Sequence, residues 1–274
     1  FAGEDTDEDG TIEASETYYT ATATDTISNI GALNVSSVIN MDGMFRKTGY
    51  QSMTTLNLGS NFDTGNVTTM SAMFAGTGST KMTGLALGDK FKTIKVTNMA
   101  NMFNDCGYSV MTSLDIGDNF DTRAVTDMNH MFNGCGYIAM TSLDLSSGTT
   151  ATNTTQFNTQ NVKNMEGMFM NCGTKLMNSL NLGNNFDTGK VGTDTGAAGP
   201  GSMKNMFYYC GRYKLQTLDL GDKFNTSNVK DMEGMFYRTG QMEMIKLDLG
   251  PQFNTSQVTN MYRMFYYCGQ TKLP

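Results

Sequence analysis

The phrase Met-x-x-Met-Phe, with Cys-Gly or Thr-Gly beginning three residues after the Phe, occurs eight times in this chain. The copies open at Met41, Met70, Met99, Met128, Met165, Met203, Met232 and Met261, so five of the seven intervals are 29 residues and the others 37 and 38. A fixed period of this size predicts a solenoid, because one repeat is too small to bury its own apolar face and must stack on its neighbours.

Aligning the repeats gives the predicted anatomy of one coil. The third reads Met111-Thr-Ser-Leu114-Asp115-Ile116-Gly-Asp-Asn119-Phe120, an apolar-x-x-Leu-x-Leu-x-x-Asn-apolar pattern whose Leu-x-Leu core recurs at Leu56/Leu58, Leu85/Leu87, Leu143/Leu145, Leu180/Leu182, Leu218/Leu220 and Leu247/Leu249. Such alternation predicts a short strand with one buried face. Next comes Phe-Asp-Thr-x-x-Val, as at Phe62 to Val67, and then the Met phrase. Val67, Met70, Met73 and Phe74 stand at i, i+3, i+6 and i+7, the spacing of one helix face, and Gly78 suits a left-handed stop after it. The expected fold is therefore α/β: a leucine-rich-repeat solenoid of about eight strand-plus-short-helix coils, with a parallel β ladder on the concave face. It would occupy residues 25–274, with polar insertions near 146–155 and 192–201, after an N-terminal segment 1–24.

Leu218 to Leu220, Phe224 to Val229 and Asp231 to Phe236 make this anatomy similar to the BspA-like leucine-rich repeats of microbial surface proteins. The resemblance extends over roughly residues 27 to 274. It implies an extracellular or cell-surface protein that binds host or neighbouring-cell proteins without catalysis. The alternative reading is a structural subunit stacking head to tail, copy on copy, into an extracellular filament. The chain stops at Leu273-Pro274, before the strand expected after its last Cys-Gly, which would expose a coil edge.

Charge points the same way. Lys plus Arg number 19 against 26 Asp plus Glu, a net charge of −7, which argues against nucleic acid as a partner. No apolar run is long enough to span a membrane. Single-residue columns repeat instead of converging, so no acid, base and nucleophile meet, and no enzyme is expected.

Five cysteines, Cys106, Cys135, Cys172, Cys210 and Cys268, share one slot that Thr48, Thr77 and Thr239 fill in the other coils. Stacking would bring them close enough for disulfides or a metal. Free exchange with Thr and an odd number favour small, buried, reduced side chains. The 24 methionines fall on inward positions as core filler. His130, outward between Met128 and Met131, receives no role.

Three candidate sites remain. Asp5-Thr-Asp7-Glu-Asp9-Gly10-Thr11-Ile12-Glu13-Ala-Ser-Glu16 matches the EF-hand calcium loop. Asp5, Asp7 and Asp9 would supply single oxygens, Thr11 its carbonyl and Glu16 a bidentate carboxylate to a structural Ca2+. On the strand face, stacked Asp115, Asp144, Asp219 and Asp248 would repel one another and welcome a cation or basic ligand. The third candidate is a cluster of tyrosines in the last three coils: Tyr208, Tyr209, Tyr237, Tyr262, Tyr266 and Tyr267. Aromatics gathered at one end predict a contact surface.

Overall fold

The Leu-x-Leu segments do form strands, each three residues long. They are β1 (Thr55–Asn57), β2 (Gly84–Ala86), β3 (Ser142–Asp144), β4 (Ser179–Asn181), β5 (Thr217–Asp219) and β6 (Lys246–Asp248). The structure, a computed structural model, describes residues 30–117, 119–146, 157–193 and 202–272. The pairs β1–β2, β3–β4 and β5–β6 are parallel and in register leucine on leucine, as Leu56 on Leu85. They make three separate two-stranded sheets and not one continuous ladder.

The expected strand-plus-helix coil is wrong. Among the described residues there is no α-helix, and the only helical element is a 3₁₀ turn at Ile30–Ala32. Backbone conformation supplies the reason. In the first coil Gly43, Lys47 and Gly49 have φ of 62°, 57° and 57°, and the third coil repeats this with Asn101, Asp105 and Gly107 at 58°, 53° and 54°. Three left-handed residues recur at these positions in every coil, and an α-helix tolerates none of them in its interior.

The hydrogen bonds follow from that geometry. Met44 N–H donates to the Met41 carbonyl at 3.2 Å, Arg46 to Gly43 at 2.9 Å and Thr48 to Phe45 at 3.0 Å, each closing a four-residue turn. The alternate donors leave the coil: Met41, Gly43, Phe45 and Lys47 donate to Thr69, Ser71, Met73 and Ala75 in the next coil, at 2.7 to 3.0 Å. Each phrase is thus a run of tight turns bonded to the coil above at every second residue. Parallel bridges such as Asn40 to Thr69, Thr69 to Asn98 and Asn98 to Asp127 tie the start of the run across coils.

The core lies between the turns and the strands. Val67, Met70, Met73 and Phe74 are 0–1 % exposed, so the 3–4 spacing does report a buried face. The phrase phenylalanines stack through the molecule, Phe45 on Phe74 at 5.5 Å, Phe103 on Phe132 at 5.7 Å and Phe236 on Phe265 at 5.3 Å. A second file runs beside it, with Phe186 on Phe224 at 6.2 Å, and tilted contacts such as Phe132 to Phe157 join the two. Each such pair contributes about 0.5–1.5 kcal/mol beyond area burial.

Polar residues hold the same period. Thr64, Thr93, Thr122, Thr159, Thr188 and Thr226 are 0–1 % exposed. Each donates its hydroxyl to a carbonyl of the following coil, as Thr93 Oγ1 to Asp121 at 2.7 Å. The cysteine slot behaves alike: Thr77 and Thr239 donate at 2.6 Å to Phe45 and Phe207 of the preceding coil. All five cysteines are free thiols. Burial pushes the thiols of Cys106 and Cys172 up to about 12.

Candidate functional site

The turn run sorts side chains by position. In the inner coils both Met residues, the Phe and the Cys or Thr point into the core, while in the end coils Met44, Met261 and Phe265 are exposed; the residues between them form further columns. One outward column is Arg46, Ala75, Asn104, Asn133, Met170, Tyr208, Tyr237 and Tyr266, so small and amide side chains give way to tyrosine in the last three coils. Asn104 and Asn133 link by their amides at 3.3 Å. Tyr208 instead stacks on Tyr237 at 4.5 Å, and Tyr237 on Tyr266 at 5.2 Å.

The next column holds the left-handed residues Lys47, Gly76, Asp105, Gly134, Asn171, Tyr209, Arg238 and Tyr267. Gly, Asn and Asp suit that backbone; Tyr209, Arg238 and Tyr267 occupy it at φ of 59°, 56° and 58°. Arg263 does the same at 56° where coils one, five and seven use Gly43, Gly167 and Gly234. A left-handed L-residue with a bulky side chain costs about 1–2 kcal/mol.

What these strained positions present is one interleaved face. The Arg238 guanidinium lies 4.9 Å from the Tyr267 ring, 5.5 Å from Tyr209 and 5.6 Å from Tyr237. Arg263 sits over Tyr262 at 4.9 Å and Tyr266 at 5.4 Å, and Arg212 over Tyr209 and Tyr213 at 5.0 and 4.8 Å. Arg212 is further fixed by Nε donation to Gln241 at 2.7 Å. Tyr262, Tyr266 and Tyr267 are 58, 42 and 37 % exposed. Burial and the neighbouring phenols Tyr209 and Tyr237 raise the Tyr208 hydroxyl, with Arg238 and Arg263 opposing them, so the ring stays a neutral donor at physiological pH. All six tyrosines singled out in the sequence therefore share one surface. The arginines were missed, although Arg212-Tyr213, Tyr237-Arg238 and Tyr262-Arg263 are adjacent pairs that mark them.

The aspartate column has a local job. Asp115 accepts from the Gly117 N–H at 2.8 Å, Asp144 from Ser146 at 2.8 Å, Asp219 from Gly221 at 2.9 Å and Asp248 from Gly250 at 3.1 Å. Each carboxylate closes an Asx turn that leads the chain out of the strand. Asp219 opposes Asp248 in register as expected, but Lys246 Nζ already lies 2.9 Å from Asp248. Asp144 opposes Asn181, and residues 113–115 form no strand, so Asp115 and Asp144 are not a strand pair. Asp115 lines a shallow depression with Asp89 and Asn119.

The calcium-loop residues Asp5, Asp7, Asp9, Thr11 and Glu16 lie outside the described residues, as does most of each insertion. Among the described residues no group of His, Cys, Asp and Glu could hold a metal, and no helix is long and apolar enough to cross a membrane. His130, with a left-handed backbone at φ 52°, packs on Gly167, where an added Cβ would lie 2.6 Å from its ring.

Residues 13–142, 80–198 and 139–273 each match a family described as Mycoplasma protein of unknown function, DUF285. No curated protein and no solved structure gives a significant match.

Proposed function

The chain belongs to this DUF285 family, and we propose that it is a non-enzymatic binding module that attaches to proteins on cell surfaces. Its contact surface is the tyrosine–arginine face of the last three coils. The observation that carries the reading is the gathering of Tyr209, Arg238, Tyr267 and Arg263 in left-handed positions of the last three coils, where the earlier coils have only the scattered Lys47, Ala72 and His130 beside Gly, Asn and Asp. Glycine or asparagine would serve the fold better there, and strain kept against the local preference is characteristic of sites selected for contact. Tyr and Arg are also the side chains that concentrate binding energy in protein interfaces. The similarity of Leu218 to Phe236 to BspA-like surface repeats supports an extracellular address.

The test is a variant that removes the face without harming the fold. Tyr209→Gly with Arg238→Gly relieves about 1–2 kcal/mol of strain per site. It forfeits about 0.5–1 kcal/mol per exposed cation–π contact and adds about 0.4–1 kcal/mol of unfolded-state entropy per site. Four contacts are lost, those of Arg238 with Tyr209, Tyr237 and Tyr267 and that of Arg212 with Tyr209, so the losses exceed the relief by about 1–2 kcal/mol. Melting should fall modestly, while adhesion of protein-coated beads to intact cells, read well below the melting transition, falls sharply. Beads on protease-shaved cells supply the control for a protein partner. Undiminished adhesion by the double variant would rule the face out.

A further inference from the structure

We infer that the tyrosine–arginine face recognises a carboxylate-rich stretch of its partner protein, an inference that rests on the contact-surface reading and names what the surface fits. The argument starts from unmatched charge. Among the described residues of these coils, the carboxylates in ion pairs are held by lysines: Glu233 by Lys204, Asp248 by Lys246 and Glu243 by Lys272. None of Arg212, Arg238 and Arg263 has a carboxylate partner among the described residues; their planes lie over tyrosine rings. In addition, the buried Nε of Arg238 has no hydrogen-bond acceptor.

A guanidinium laid over a ring keeps its planar fork for acceptors at its edge, and that fork matches a carboxylate. The rings hold the fork rigid and partly dehydrated, so little order is lost when an anion arrives. Three such guanidinium groups stand on a chain of net charge −7, a local cationic patch on an acidic protein. Arg212 gives its Nε to Gln241 and Arg238 also bonds Tyr237, which leaves Arg263 and the remaining N–H groups of the other two for an incoming carboxylate. Tyrosines outnumber the arginines and offer apolar area between them, which suits a peptide mixing acidic and apolar side chains. A uniformly anionic polymer fits less well, because Glu233, Glu243 and the net charge would repel it along its length.

The experiment uses the intact chain and fluorescence anisotropy with three probes: a synthetic glutamate- and leucine-rich peptide, the same peptide with every Glu replaced by Gln, and a sulfated oligosaccharide. The glutamate peptide should bind, weakening as salt rises, and the glutamine peptide should bind on the order of ten-fold more weakly or worse. Arg238→Gln with Arg263→Gln should cost at least a similar factor in a variant that still melts well above the assay temperature, and Arg238→Lys should retain only part of the affinity because charge survives and the fork does not. Equal binding of the two peptides, tighter binding of the sulfated oligosaccharide, or full affinity in the arginine double variant would each overturn the inference. If Tyr208→Ser with Tyr237→Ser abolishes bead adhesion while no acidic peptide binds, the carboxylate assignment fails and the contact surface stands. If that variant still adheres, the contact surface itself fails.

Discussion

Ala72 and Gly43 occupy the same slot of successive coils, the second residue after the first Met, with φ of 52° and 62°. Exchanging them separates a turn run from a helix by the sign of the effect. In a helix interior Ala72→Gly would cost about 1 kcal/mol. In the turn run it releases about 1–2 kcal/mol of left-handed strain, against about 0.4–1 kcal/mol of added unfolded-state entropy. The net is a gain on the order of 0.5–1 kcal/mol. Gly43→Ala is the mirror experiment, and the site isolates backbone strain: the nearest atom to an added Cβ is Arg46 Cβ at 3.8 Å, an ordinary contact. It should destabilise by a similar amount, where a helix would be stabilised. Urea unfolding of both variants against the parent, fitted with a common slope, reads the two signs. Destabilisation by Ala72→Gly together with stabilisation by Gly43→Ala would refute the account of why no helix forms.

Other expectations follow from the core, from the Asp121–Arg123 pair and from the acidic N-terminal segment. Cys106 and Cys172, held up at about 12 by burial, should resist thiol labelling at pH 8 in the folded protein and react fully in denaturant; fast labelling would contradict their burial. Burial raises the Asp121 carboxyl, but hydrogen bonds from the Arg123 side chain and backbone and the Arg123 charge outweigh it and leave the carboxyl lowered. Its stabilisation is therefore present above the ordinary carboxylate range and lost as pH falls through the lowered value. The stability gap between parent and Arg123→Gln should be constant above about pH 5 and close at lower pH; a gap that widens on acidification would show the opposite sign. If Asp5 to Glu16 hold calcium, titration calorimetry will show heat on calcium addition that Asp5→Ala abolishes, and a silent titration of the parent would remove the site.

The sequence showed the repeat, its period, the buried Leu, Met and Phe columns and the tyrosine cluster, because each is a property of spacing. It did not show the turn run. Val67, Met70, Met73 and Phe74 satisfy the helical spacing equally well when tight turns return every third or fourth residue to the core. The discriminating signal was weaker: Gly43, Asn101, Gly167, Asn205 and Gly234 fall inside the supposed helix, where glycine and asparagine are poor formers. Thr64 and its equivalents stand in the Phe-Asp-Thr-x-x-Val segment with nothing local to mark a role, and only the stacking of coils reveals their hydroxyls as buried rungs between them. The aspartate column was visible as a column, but its bonding to the N–H two residues on depends on backbone geometry. Arg238 was hidden because Tyr209 and Tyr267, which it covers, lie in the neighbouring coils; Arg212 and Arg263 lie over rings of their own coil and were marked only by adjacency to Tyr213 and Tyr262.

Tyrosine nitration of the protein adhering to cells, compared with the free protein, tests most directly where it makes contact. Tyr50, 41 % exposed in the first coil, and Tyr137, stacked on Tyr108, serve as internal references away from the last three coils. The account predicts that adhesion shields Tyr262, Tyr266 and Tyr267 while Tyr50 and Tyr137 react as in the free protein. Shielding of Tyr50 and Tyr137 with unchanged reactivity at Tyr262, Tyr266 and Tyr267 would contradict it.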